Sequence, residues 1–89
     1  MGATLEFGSI EATSWKEARN KVIERCEIYY GQDPYSGSFN TIIDWSECRK
    51  PFADVDEFED WVCEYGEKRE AFVWTKDKKT YYVCGWCAC

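Results

Sequence analysis

The residues whose types and spacing could do chemistry are the cysteines of the run CGWCAC, which are Cys84, Cys87 and Cys89. A C-x-x-C pair can hold zinc or exchange thiols, because thiolates serve as metal ligands and as nucleophiles. Structural zinc usually takes four ligands from two such pairs, but the other three cysteines of the chain stand singly. In an extended strand, Cys84 and Cys87 point to opposite faces. We therefore predict structural cysteines and no metal site; a small zinc or thiol protein using these residues remains an alternative.

The chain contains no histidine. This removes the commonest general base, all Ser-His and Cys-His nucleophile pairs and every metal site that uses histidine. Carboxylate pairs such as Asp56 with Asp60 are predicted on a helix exterior, where little burial is available to shift a pKa. We expect a protein that is not an enzyme and that needs no cofactor.

A segment rich in small and hydroxyl residues, GQDPYSGSFNT, follows a predicted helix at residues 31–41. Its backbone N–H groups and side-chain oxygens could hold an anion or a nucleotide. It could equally form a tight loop, since Pro34 fixes φ and Gly37 accepts a positive φ. The spacing does not match a P-loop. The candidate ligand-binding residues are Tyr35, Ser36, Ser38, Asn40, Lys78 and Lys79.

Acidic residues outnumber basic ones by 17 to 11, which gives a formal charge of -6. Between Asp44 and Glu64 there are eight acids, and only Arg49 and Lys50 oppose them. Such a surface repels nucleic-acid phosphates and anionic lipids, so direct nucleic-acid binding is not expected. It is either an ordinary solvated face or a surface that occupies a basic groove on another protein. The candidate partner-binding acids are Asp56, Glu57, Glu59, Asp60 and Glu64.

The N-terminal residues carry neither a basic region nor a long apolar run, and no stretch approaches the roughly 18 apolar residues of a membrane span. The sequence thus predicts a cytoplasmic protein that does not interact with membranes.

A chain of 89 residues is too short to build two cores, which predicts one domain over residues 1–89. Ser14 and Glu17 form a capping box that opens a helix. Asp54 or Asp56 can cap a second helix, which Gly66 ends. The predicted elements are strand 4–10, helix 15–30, strand 39–45, a helix ending at residue 65, strand 71–75 and strand 80–87.

The resulting order, β-α-β-α-β-β, predicts an α+β domain of two layers, with two helices on one face of a mostly antiparallel four-stranded sheet. Such a domain leaves the other sheet face uncovered. Trp45, Trp74 and Trp86 lie on predicted strands, so we predict them as partner-binding aromatics on that face. An uncovered face of this kind would also favour a homodimer.

Several segments together resemble small acidic proteins of phages and other mobile elements. They are the run ATSWKEA at 12–18, the helix end at Tyr30 and Gly31, the loop DPYSGSFNT, and the terminal GWCA. These motifs mark where structural elements begin and end, and they contain no catalytic residue. The resemblance implies a counter-defence factor, of the kind that includes anti-CRISPR proteins and proteins that sequester signalling nucleotides.

Three hypotheses follow. The first is a non-catalytic phage-type inhibitor that binds a host defence protein, such as a CRISPR nuclease complex, through its acidic and aromatic surface. The second is a small-ligand binder that sequesters a signalling nucleotide. The third is the zinc or thiol protein described above.

Overall fold

Short-range hydrogen bonds set where both helices begin. In the computed structural model, which describes residues 2–30 and 39–88, the Ser14 hydroxyl accepts the Glu17 N–H at 3.2 Å. The Glu17 carboxylate in turn accepts the Thr13 N–H at 3.3 Å. Asp54 caps the second helix in the same way, because its Oδ1 accepts the Glu57 N–H at 3.0 Å. These side chains satisfy N–H groups that a first helical turn leaves without partners.

The elements follow the predicted order. They are β1 (Ala3–Glu11), α1 (Trp15–Tyr30), a 3-10 turn (Phe39–Thr41), β2 (Asp44–Glu47), α2 (Val55–Tyr65), β3 (Glu70–Thr75) and β4 (Thr80–Ala88). The α+β class, the two helices and the four-stranded sheet are confirmed.

The segment that was predicted as a strand over 39–45 is shared between two elements. Phe39 and Thr41 belong to the 3-10 turn and are buried, whereas Ile43 is 78% exposed. The Thr41 hydroxyl accepts the N–H of Ala88 at 2.9 Å. The β-branched Thr41 favours a strand by propensity, but here it is buried in the 3-10 turn and bonded to the distant end of β4.

The sheet is mixed, with the strand order β1-β4-β3-β2. The β1/β4 and β3/β4 pairs are antiparallel, and β2 pairs with β3 in parallel. Consequently β1, β2 and β3 all run in one direction, and their carboxyl ends lie at the same end of the sheet. Both helices begin at that end as well.

The helices cover opposite faces of the sheet, which corrects the two-layer expectation. On the α1 side, Val22 packs in one cluster with Val73 and Val83. On the α2 side, Phe58 packs with Trp74. Each face of the sheet thus carries one apolar cluster, and the sheet lies between the helices.

The direction of the two crossovers explains this arrangement. The chain crosses the sheet from β1 to β2 by way of α1, and it returns from β2 to β3 by way of α2. Connections between parallel strands are almost always right-handed, so crossings in opposite directions place their helices on opposite faces. Strand order was needed for this argument, and the sequence alone did not supply it.

Gly66 ends α2 in an extended conformation and not in the left-handed one that glycine often adopts after a helix. Its φ is -74°, and its N–H donates to the Val62 carbonyl. A Cβ at this position would lie 2.6 Å from that same carbonyl oxygen and 3.3 Å from the Trp86 ring. Glycine is needed here for space.

Candidate functional surfaces

The packing of α2 determines which of its side chains face solvent. Phe58 and Val62 are fully buried on the sheet. Because a helix turns by about 100° per residue, positions 56, 60 and 64 lie on the side opposite these two. The structure accordingly exposes Asp56, Asp60 and Glu64. We call these three carboxylates the α2 acidic stripe.

The two other predicted acids of α2 differ from the stripe. Glu57 is exposed, but its Oε2 accepts the Ala53 N–H at 2.6 Å and so helps to cap the helix. Glu59 is half-buried at the side of the helix, and its negative charge helps to raise the pKa of the Cys84 thiol. The five predicted acids therefore lie on one helix, but only the three of the stripe are exposed without a structural contact described above.

No cation neutralises the stripe within residues 2–30 and 39–88. The ion pairs found in this part of the chain are Lys21 with Glu17 and Arg49 with Glu47, neither of which involves α2. The helix itself contains no basic residue. Repulsion between like charges at four-residue spacing disfavours the helix slightly, by about 0.2 to 0.5 kcal/mol per pair. The stripe is therefore open to an external cation.

The three predicted tryptophans are not together on an open face. Trp74 is 5% exposed, and its indole N–H donates to the Lys50 carbonyl at 3.0 Å. Trp45 is half-buried on the other face, with its ring 6.0 Å from that of Phe39. Trp86 is half-buried beside the end of α2. The expectation of an uncovered tryptophan face is wrong for Trp74, because α2 covers that side of the sheet.

Two aromatic residues of α2 instead border the stripe. Tyr65 is 63% exposed and adjoins Glu64 in sequence. Trp61 is half-buried, and its ring centroid lies 5.9 Å from that of Tyr65. Helical periodicity alone predicts both residues on the buried side of α2, together with Phe58 and Val62. The position of Tyr65 as the last residue of α2 is the sequence signal that could have identified its exposure.

The predicted ligand-binding residues are only partly described. Tyr35, Ser36 and Ser38 lie outside the described residues, as does the side chain of Asn40. Lys78 and Lys79 are exposed in the turn between β3 and β4. Asp77 Oδ1 orders this turn by accepting the N–H groups of Lys79 and Thr80 at 2.9 Å each, and these bonds lower the pKa of Asp77.

The buried cysteines are divided between the two apolar clusters. Cys84 belongs to the cluster under α2 and Cys87 to the cluster under α1, so they point to opposite faces, as the strand argument predicts. Burial, with a smaller effect of the Glu59 carboxylate, raises the pKa of the Cys84 thiol to about 12. Burial also raises the pKa of Cys48. Among the described residues no group of three or more acidic or cysteine side chains is placed to hold a metal ion.

Neither described helix combines the length and the apolar character that crossing a membrane would require. Comparison of the chain with known protein families, with curated protein sequences and with solved structures finds no match.

Proposed function

We propose that the protein is a non-catalytic binding protein that docks the α2 acidic stripe onto a basic groove of a partner protein. The observation that carries the proposal is the stripe itself: three exposed carboxylates on one helix face, without a cation partner in the described part of the chain. The chain resembles small acidic proteins of phages and mobile elements. We therefore propose a host defence component, such as a CRISPR nuclease complex, as the partner.

The geometry of α2 suits such docking. Positions 56 and 64 are eight steps apart along the helix, which is about 12 Å at 1.5 Å per residue, and position 60 lies midway. The distance between successive carboxylates along this length resembles the distance between successive backbone phosphates. A basic groove that holds nucleic acid would therefore attract the stripe. Tyr65 and Trp61 supply aromatic area next to the charges, and residues of this kind often dominate binding energy.

The test is a charge reversal with a matched control. In the first variant Asp56, Asp60 and Glu64 are all changed to Lys. In the control, the same change is made at three exposed acids elsewhere, Glu11, Glu24 and Glu27. Both variants shift the formal net charge equally, from the -6 of the native sequence.

Each protein is tested for capture of purified defence nucleases and for inhibition of their cleavage activity. We expect the stripe variant to lose both and the control to keep them, with capture by the native protein weakening as salt rises. Equal loss in both variants would show that only net charge matters. Unchanged inhibition by the stripe variant would exclude α2 as the docking surface. Urea unfolding of all three proteins shows whether each variant is folded.

A further inference from the structure

A cavity of about 590 Å³ opens at the end of the sheet where β2 and β3 finish. β2 ends at Glu47, which lies opposite Val73 in the parallel pair, and β3 ends shortly after that pair, at Thr75. The segment after β2 and the turn after β3 form two walls. Trp15, the first residue of α1, lies on a third side. The cavity is within the range of about 300 to 1,000 Å³ that is usual for small-molecule sites.

The lining is basic, although the protein as a whole is acidic. Four cations face the cavity and one carboxylate, Glu47, does so. The cations are Arg49, Lys50, Lys76 and Lys78. Arg49 is paired with Glu47, whereas no described carboxylate lies within ion-pair distance of the three lysines. Like charges that are gathered in this way repel one another until an anion joins them.

Specific contacts fix the ammonium groups of two of these lysines. The Lys76 ammonium donates to the Ala53 carbonyl at 2.7 Å. The Lys50 ammonium lies 5.5 Å from the centre of the Trp61 ring. Neither contact neutralises a charge, since a carbonyl and a ring are both uncharged.

The backbone around the cavity is also fixed. Lys78 has a φ of 62°, and its N–H donates to the Thr75 hydroxyl at 2.9 Å. The Lys50 carbonyl accepts the indole N–H of buried Trp74. The turn and the opposite wall are therefore anchored to the sheet, which lowers the entropy cost of ordering them around a ligand.

Aromatic side chains also line the cavity. Trp15 is half-buried and Tyr81 is 6% exposed. An aromatic ring beside cations suits a ligand with a charged group and a flat organic part.

From this arrangement we infer that the cavity binds a small phosphate-bearing molecule, whose phosphates contact Lys50, Lys76 and Lys78 and whose organic part contacts Trp15. The site differs from the one expected from the sequence, because it joins Lys78 to the segment after β2 and to α1. It also goes beyond the proposed function, since the acidic stripe does not contribute to it.

Titration calorimetry with two probes tests the inference and distinguishes the source of the phosphate. The probes are ATP and inorganic triphosphate, both without added metal. A nucleotide site binds ATP more tightly than triphosphate, and changing Trp15 to Leu removes that preference. A site for inorganic polyphosphate binds ATP and triphosphate equally. That result would support the lysine contacts but overturn the contact between Trp15 and the organic part of the ligand.

The lysine contacts are tested with Lys76→Gln combined with Lys78→Gln. The control combines Arg25→Gln with Lys68→Gln, which removes the same charge at two exposed positions outside the cavity lining. We expect the first variant to weaken binding by about tenfold or more, which corresponds to about 1.4 kcal/mol, and the control to stay within about twofold of the native protein. No heat with either probe, or equal weakening in the two variants, would overturn the proposal. Urea midpoints near the native value confirm that a loss of binding is not a loss of fold.

Discussion

Replacing Gly85 by alanine should destabilise the protein through a backbone collision inside the sheet. Gly85 lies opposite Ala71 in the antiparallel β3/β4 pair. An added Cβ would lie 2.5 Å from the Ala71 Cβ and 2.6 Å from the Glu70 carbonyl oxygen. Opposite Cβ atoms in a sheet are normally about 4.5 to 5.5 Å apart, so β3 and β4 approach unusually closely here.

The size of the effect follows from what must move. The obstructing atoms include the Glu70 carbonyl and the Ala71 Cα at 2.7 Å, so no side-chain rotation relieves the contact. Overpacking of this kind costs about 1 to 3 kcal/mol. Parting the strands also weakens ladder hydrogen bonds that contribute about 1 kcal/mol each. We expect the Gly85→Ala variant to lose about 2 kcal/mol or more of the free energy of unfolding.

Urea unfolding followed by tryptophan fluorescence measures this loss. With a slope of about 1 to 3 kcal/mol per molar urea, a loss of 2 kcal/mol lowers the midpoint by roughly 0.7 to 2 M. Gly8→Ala is the matched control, because a Cβ there meets its nearest atoms at 3.5 and 3.6 Å, in ordinary contact. Alanine is also favoured over glycine within a strand, by about 0.5 to 1 kcal/mol. The reasoning is refuted if the two variants unfold at the same urea concentration.

Three further predictions concern local interactions. Asp54→Ala removes the cap of α2 and should cost about 1 kcal/mol of unfolding free energy, whereas Asp54→Ser should restore most of it; equal midpoints for the two variants would contradict this. The bonds from Lys21 and Thr13 lower the pKa of Glu17, so its contribution to stability is complete above its ordinary pKa of 4.5 and is lost as the pH falls through the lower folded value. Glu17→Gln should therefore flatten the loss of stability in acid, and an unchanged pH profile would refute the linkage. Among the described cysteines, exposed Cys63 should react first with a thiol reagent in the native protein and buried Cys84 should react only on unfolding, as peptide mass spectrometry after brief labelling would show.

Local chemistry was enough to locate the helices. The capping box of Ser14 and Glu17 predicts a helix from Trp15, and α1 begins there. These signals work because the bonded groups are three or four residues apart, so the rest of the fold hardly affects them. The opposite orientation of Cys84 and Cys87 was predictable for a similar reason, since it depends only on the period of a strand.

The tertiary structure decided the remaining features. Alternation along β3 predicts that its residues divide between two faces, but not that each face carries a helix. Strand order and the handedness of the two crossovers settled that point, and α2 consequently buried Trp74. The basic cavity depends on the same long-range order. Arg49 and Lys78 are distant in sequence and become neighbours only because β2 and β3 are adjacent and parallel, so their strand ends meet.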